Sequence, residues 1–222
     1  MVESAVRSTG KQRVLVELGQ YVKAHGFDPE PADQYFYCPS ATGKWVFHIA
    51  FIPHQRDFDL TADVAVRNNA IEDLVNQYDS KLSKLEKRRS MTLGGELGNL
   101  SQGRQMRWTI AGFSDVPEVC EEVARTFEHV GLPFLQEHSD IGTIHRVLAS
   151  SDSKDVLVAP LLGPRSMRAV ASAYLLGEGI DIIRALAHGL EAKLMEREDL
   201  YLKDFRALCA GLLSKRNSSS VC

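Results

Sequence analysis

The segment that decides the fold is residues 44–67, which read KWVFHIAFIPHQRDFDLTADVAVR. Residues 44–52 are dense in aromatic and β-branched side chains, and residues 57–67 alternate between apolar and polar side chains. Such alternation is typical of a strand with one buried face. Pro53-His-Gln-Arg56 separates the two runs, so the segment predicts an antiparallel hairpin with a four-residue loop.

Other strands and helices follow from the flanking sequence. The spacing of apolar residues predicts a helix over about 11–25 that ends at Gly26, and a helix over about 69–87. Further strands are predicted at 35–38 and 104–113. Four glycines make residues 90–103 a predicted loop, with a short strand near 90–93.

The sequence changes character at Ser114. From there to Leu212 apolar residues recur at helical spacing, and Gly131-Leu-Pro133 and Gly177-Glu-Gly179 are predicted helix ends. Strands early and helices late indicate the α+β class.

We therefore expect an antiparallel sheet of about four to five strands with flanking helices in the N-terminal half, and a helical C-terminal half. The predicted organisation is a sheet region at 1–113 and a helical region at 114–216 packed on it. These are either two domains or one continuous domain. A disordered tail at 217–222 is predicted to follow.

Composition favours a soluble cytoplasmic protein. The 222 residues are 44% apolar and carry a net charge of −3. No run approaches the roughly 18 apolar residues of a membrane span, and the start lacks the apolar core of a secretory signal. The slightly acidic balance argues against nucleic acid as the main partner. The basic cluster at 81–89 has no aromatic residues among its charges, so a solvated helix end is predicted there.

The cysteines are far apart in the sequence. They form no C-x-x-C pair, which predicts reduced thiols and no zinc site; they are Cys38, Cys120, Cys209 and Cys222. P-loop, dinucleotide-binding, nucleophile-elbow and H-E-x-x-H motifs are also missing from the sequence. The sequence accordingly predicts no cofactor and no metal ion.

The polar face of the hairpin is the one place where chemistry is predicted. A four-residue loop pairs positions that sum to 109, which puts His48 opposite Thr61. Asp59 and Asp63 then flank the imidazole, and Arg107 can join from the next strand. A histidine beside two carboxylates can act as a general base. The alternative is a solvated polar face with ordinary cross-strand pairs.

The order of elements in residues 12–78 resembles an uncharacterised bacterial domain family. The resemblance rests on a helix ending in Gly26-Phe27, the aromatic Tyr35-Phe36-Tyr37, and the strands Trp45–Ile52 and Leu60–Val66. It implies an antiparallel sheet and an association with toxin–immunity gene neighbourhoods. It brings no catalytic residues.

Three functions are consistent with the sequence. The leading hypothesis is a non-enzymatic cytoplasmic factor that binds a protein partner, in the manner of a bacterial immunity protein or antitoxin. The first alternative is a small enzyme or ligand-binding protein that uses His48, Asp59, Asp63 and Arg107. The second is an assembly protein that oligomerises through its C-terminal helices and exposes Leu194, Tyr201 or Phe205. The sequence makes no prediction of the oligomeric state.

Overall fold

The computed structural model describes the backbone of residues 2–30 and 34–219, and the side chains of residues 10–30 and 34–215. The α+β prediction is confirmed, because an antiparallel sheet occupies the N-terminal half and the C-terminal half is helical. The strands are β1 (Asp28–Glu30), β2 (Tyr35–Ser40), β3 (Gly43–Pro53), β4 (Phe58–Asn68), β5 (Leu93–Glu96) and β6 (Trp108–Ile110). The helices are α1 (Val2–Lys23), α2 (Asn69–Asn76), α3 (Lys84–Arg89), α4 (Leu97–Gln102), α5 (Val116–Thr126), α6 (Leu132–Glu137), α7 (Ile141–Ala149), α8 (Ser153–Leu157), α9 (Leu162–Leu175), α10 (Ile180–Glu196) and α11 (Leu202–Ser219).

The sheet is built around the predicted hairpin. Its strand order is β1-β2-β3-β4-β5, and β6 pairs with β4. The predicted strand at 104–113 is shorter in the structure, because β6 pairs only three residues with β4. One face of β3 and β4 is apolar as predicted, and Phe47, Leu60 and Ala62 on it are fully buried.

The turn of the hairpin is tighter than predicted. The amide of His54 donates to the carbonyl of Asp57 at 3.0 Å, so only Gln55 and Arg56 lie between the paired positions. This pairing corresponds to positions that sum to 111, whereas the four-residue loop implied 109. A shift of two residues keeps every side chain on its predicted face, since strand side chains alternate with a period of two.

Helix α1 begins earlier than predicted and ends as predicted. Residues 2–10 carry few apolar side chains, so the periodicity behind the predicted start near residue 11 gave no signal there. At the other end Gly26 has φ +82° and donates to the carbonyl of Lys23 at 3.0 Å. Phe27 donates to the carbonyl of Val22 at 3.3 Å and is fully buried. These are the bonds and the apolar contact of a Schellman motif.

The single helix predicted over 69–87 is wrong, because seven residues separate α2 from α3. The carboxylate of Asp79 accepts the amide of Lys81 at 2.8 Å, which removes a donor that a continuous helix needs. Ser83 then begins a new helix through a capping box with Glu86. The apolar spacing continues across the break, which is why the sequence pattern did not reveal it.

The loop predicted over 90–103 is also wrong, since β5 and α4 lie within it. Glu96 organises the segment: its carboxylate accepts the amides of Gly98, Asn99 and Met106 at 2.9–3.2 Å. A Cβ atom on Gly98 would lie 2.5 Å from the backbone nitrogen of Met106. The glycine therefore permits a close backbone approach at this position.

The predicted helix end at Gly131-Leu-Pro133 is wrong as well. A π-helical turn at Phe127–Gly131 joins α5 to α6, and the amide of Leu132 donates to the carbonyl of Phe127. Pro133 has no amide hydrogen and its ring crowds the carbonyl four residues earlier. A turn with i to i+5 bonding is wider and carries the helix past the proline.

Contacts divide the chain into two compact units. We call Met1–Val66 with Gly94–Glu137 the sheet unit, and Arg67–Leu93 with His138–Cys222 the helical unit. The predicted boundary between residues 113 and 114 lies inside the sheet unit. Of the predicted tail, residues 217–219 continue α11, and residues 220–222 lie outside the described residues.

Each unit has its own buried core. In the sheet unit the ring of Phe127 lies 5.3 Å from that of Phe27 and 4.6 Å from that of Phe47. In the helical unit the fully buried Glu72 accepts a 2.7 Å bond from Arg168.

None of the described helices is long and apolar enough to cross a membrane. Cys38, Cys120 and Cys209 are free thiols, and Cys222 lies outside the described residues. Burial raises the pKa of Cys120 and of Cys209 to about 12, so both are protonated at neutral pH.

Candidate functional site

The polar face of the sheet holds most of the candidate residues. Residues paired directly across antiparallel strands share a face. Tyr35 pairs with His48 and Tyr37 with Val46, while Asp59 pairs with Thr109. We call this face the outer sheet face; it carries Tyr35, Tyr37, Lys44, Val46, His48, Asp59, Thr61, Asp63 and Thr109. Val46 and Thr61 are buried, and the other members are half-buried or exposed.

An aromatic row crosses β2 and β3 on this face. The ring centroids of Tyr37 and Tyr35 are 5.7 Å apart with an interplanar angle of 21°, so the two rings stack. The imidazole of His48 continues the row, 4.5 Å from the ring of Tyr35. The Lys44 ammonium lies 4.5 Å from the centroid of Tyr37, within cation–π range.

His48 contacts a carboxylate, although not in the predicted arrangement. Its Nδ1 atom lies 3.3 Å from an oxygen of Asp63, and the two side chains are 26% and 40% exposed. The prediction that His48 lies opposite Thr61 is off by two residues because the turn is shorter. The contact is long for a charge-assisted hydrogen bond and is open to water, so it constrains the imidazole weakly.

Asp59 belongs to a different cluster on the same face. Its Oδ2 atom accepts from Nε2 of His54 at 2.9 Å, and its Oδ1 atom accepts from the hydroxyl of Thr109 at 2.7 Å. The guanidinium of Arg107 lies 3.9 Å away. The hydrogen bonds from His54 and Thr109 lower the pKa of Asp59, and the charge of Arg107 adds to this. Asp59 is therefore ionised, and its two hydrogen bonds connect the hairpin turn to β6.

The four predicted site residues therefore form two pairs, His48 with Asp63 and Asp59 with Arg107. Asp59 and Asp63 are four residues apart on β4, which is about 13 Å along a strand. A general base and its orienting carboxylate must lie within one hydrogen bond of each other and of the reacting atom. His48–Asp63 meets the first part of this requirement, and Asp59 with Arg107 lies too far along the strand to join it.

Among the concavities that the described residues form, two lie in the sheet unit. A groove of about 270 Å³ runs between α1 and the first two strands, and its lining is mostly apolar, including Leu15, Val16 and Phe36. A smaller one of about 90 Å³ lies at the hairpin turn and includes Phe58 and Phe113. Neither of these two is lined by a predicted site residue. Among the described residues, no group of three or more His, Cys, Asp or Glu side chains is placed to hold a metal ion.

Some residues of this face were not identified as site residues from the sequence. The sequence predicts only a strand for Tyr35 and Tyr37, and the contact of Tyr35 with His48 depends on the register of β2 against β3. The sequence signal that could have found them is the alternation of residues 35–37, which puts the two tyrosines on one face. His54 bonds Asp59 because the two-residue turn brings them together.

The exposure of three residues in the helical unit bears on the assembly hypothesis. The assembly hypothesis predicted exposure of Leu194, Tyr201 or Phe205. Leu194 and Phe205 are fully buried, and Tyr201 is half-buried. The expectation is wrong for Leu194 and Phe205, because both face the interior of the unit.

Comparison with known proteins adds no relative: no protein-family model, no curated protein and no solved structure matches the chain.

Proposed function

We propose that this chain is a non-enzymatic protein-binding factor and that the outer sheet face is its recognition surface. The observation that carries the proposal is the aromatic row of Tyr37, Tyr35 and His48 on a half-exposed sheet face. Tyrosine is enriched at protein interfaces because it offers a large contact area with few rotatable bonds. Stacking and the adjacent Lys44 ammonium fix the rings before a partner binds, which reduces the entropy lost on binding.

The surroundings of the row suit a protein partner. Asp63 and Lys44 place one charge of each sign beside the rings, and such charges set the orientation of a partner. The two concavities described in this unit are not lined by His48, Asp59 or Asp63, which supports surface contact rather than enclosure of a small molecule.

The setting in the cell is part of the same proposal. The three described thiols are unpaired, which supports a reducing cytoplasm. The resemblance in residues 12–78 spans the strands that carry the aromatic row, and it supports an immunity- or antitoxin-like role in a bacterium.

Site-specific photo-crosslinking tests the proposal. A benzophenone amino acid replaces Tyr37 in the full chain, and the same amino acid at exposed Gln102, in α4 of the same unit, is the matched control. In the cells from which the chain comes, we expect one dominant protein adduct at position 37 and none of that mass at position 102. Adducts that are equal at both positions, or an absence of adducts at position 37, would contradict the proposal.

A second measurement then tests the row itself. The Y35A/Y37A double variant should bind the crosslinked protein at least about tenfold more weakly, since an aromatic hot spot contributes about 2 kcal/mol or more. Unfolding curves of the variant show whether the loss reflects the surface or the fold. Unchanged affinity in a folded variant would remove the row from the interface.

The enzyme alternative retains one supporting observation, the contact of His48 with Asp63. It predicts that H48Q abolishes an activity while leaving partner binding intact. The protein-binding proposal predicts instead that both variants weaken partner binding, with Y35A/Y37A having the larger effect.

A further inference from the structure

A second surface, in the helical unit, has a composition unlike that of the rest of the chain. Five of the 26 Lys and Arg residues and one of the 29 Asp and Glu residues lie at positions 81–89. This segment therefore carries a charge of +4, while the rest of the chain carries −7. Like charges this close repel each other, so the cations destabilise the segment unless other contacts offset the repulsion.

The N-terminus of α3 is capped without any contact from these cations. Ser83 and Glu86 form a complete capping box, with the amide of Ser83 donating to Glu86 at 2.7 Å and the amide of Glu86 donating to Ser83 at 3.3 Å. The hydrogen bonds from Ser83 lower the pKa of Glu86, so the one acid of the segment is ionised and already engaged.

The carbonyls at the C-terminus of α3 are also satisfied by other residues. Cations at a helix end ordinarily stabilise its unpaired carbonyls. Here the buried guanidinium of Arg67 donates to the carbonyls of Lys87 at 3.1 Å and Ser90 at 2.6 Å. The amide of Asn76 also donates to the carbonyl of Lys87. The helix end is thus satisfied from within the unit.

Three of the cations have no structural task. Lys81, Lys84 and Arg88 are exposed, and within the described part of the chain no carboxylate pairs with them. Lys84 and Arg88 lie four residues apart on α3, a spacing at which like charges destabilise a helix. Leu85 lies between them and is 49% exposed. We call Lys81, Lys84, Leu85 and Arg88 the basic surface.

We propose that the basic surface is a docking site for an acidic protein segment that carries an apolar side chain. The cations supply charge complementarity to its carboxylates, and the exposed Leu85 supplies an apolar contact. A nucleic acid fits less well because residues 81–89 include no aromatic side chain for base stacking. A membrane fits less well because a single leucine buries too little apolar area to anchor a six-residue helix.

Fluorescence anisotropy with the full chain tests this site. The probe is a short fluorescein-labelled peptide made of Glu and Leu, at about 50 mM and about 500 mM salt. We expect saturable binding at low salt that high salt weakens, and the K84E/R88E variant should bind at least about tenfold more weakly. The matched control is K193E/K203E, which reverses two exposed lysines of the same unit and should bind like the unmodified chain.

Three further probes separate the possible partners. A peptide of Glu and Ser with the same charge should bind more weakly than the Glu–Leu peptide, and L85S should remove this difference. Tighter binding of single-stranded DNA of equal charge, or of phosphatidylserine vesicles, would overturn the assignment to a protein segment. The proposal is also overturned if K84E/R88E and K193E/K203E have the same effect, because binding would then follow overall charge. None of these results depends on the outer sheet face.

Discussion

Arg165 offers the sharpest test of how the helical unit is held together. The residue is 6% exposed, and no carboxylate among the described residues forms an ion pair with it. Its guanidinium donates instead to the carbonyls of Val147 at 2.6 Å, Ser150 at 2.7 Å and Asp155 at 2.7 Å. These carbonyls lie at the end of α7 and in α8, so one side chain links both helices to α9, which carries it.

Replacing Arg165 by Met keeps most of the aliphatic volume and removes all donors. A hydrogen bond to a charged group contributes about 1.5–3 kcal/mol, so the three short bonds together contribute at most about 9 kcal/mol. The fourth bond, 3.5 Å long to the carbonyl of Ala159, adds little. Water can reach the partly buried carbonyls of Ser150 and Asp155, whereas the bond to Val147 is buried. We therefore expect R165M to lower the free energy of unfolding by about 3–5 kcal/mol.

Urea unfolding followed by far-ultraviolet circular dichroism measures this loss. The control is R206M, because Arg206 is 52% exposed and pairs with Glu191, and such a pair contributes about 1 kcal/mol or less. If R165M does not fold, R165K keeps a charge and three donors and should lose about 1–3 kcal/mol. A loss of under about 1 kcal/mol for R165M, with an unchanged urea slope, would refute the view that this guanidinium links the helices.

Three other outcomes follow from single side chains. G98V should destabilise the protein by about 2 kcal/mol or more in urea unfolding, because the new Cβ would lie 2.5 Å from the backbone nitrogen of Met106. Burial raises the pKa of Glu72, but the charge and hydrogen bonds of Arg168 outweigh it and lower the pKa below the ordinary 4.5. The ionised form therefore stabilises the fold at neutral pH, and this contribution is lost as the pH falls below about 4.5; E72Q should lose less stability than the unmodified chain between pH 7 and pH 3. Finally, mass spectrometry after brief alkylation should find Cys120 unmodified in the native protein and modified in urea, since its thiol is fully buried with a pKa of about 12.

The parts of the fold that the sequence predicted depend on periodicity and on local turn chemistry. The alternation in residues 57–67 identifies β4 and its buried face, and the Gly26-Phe27 pair identifies the end of α1. These signals are local, because a strand side chain or a C′ glycine has the same requirement whatever surrounds it.

The failures share a different physical origin. In the break between α2 and α3 Asp79 accepts a backbone amide, and the segment 90–103 is ordered by the carboxylate of Glu96. A hydrogen bond between a polar side chain and the backbone cannot be detected from the spacing of apolar residues. The neighbour of His48 was not predicted for a related reason, since its contact with Asp63 depends on a turn that is two residues shorter than the predicted one. Hydrophobic spacing determines which face of the sheet a residue occupies. It does not determine which residue lies beside it on that face.

Net charge, like hydrophobic spacing, does not say what surrounds a particular residue. A net charge of −3 disfavours nucleic acid as a partner, but that value is the sum of +4 at positions 81–89 and −7 elsewhere. At physiological salt a charge is screened within about 8 Å, so a partner that contacts the basic surface meets a positive field whatever the total. The net charge therefore cannot decide which polyanion fits there. Two local features favour an acidic protein over a nucleic acid. Leu85 is exposed next to the cations, and residues 81–89 contain no aromatic ring on which a base could stack.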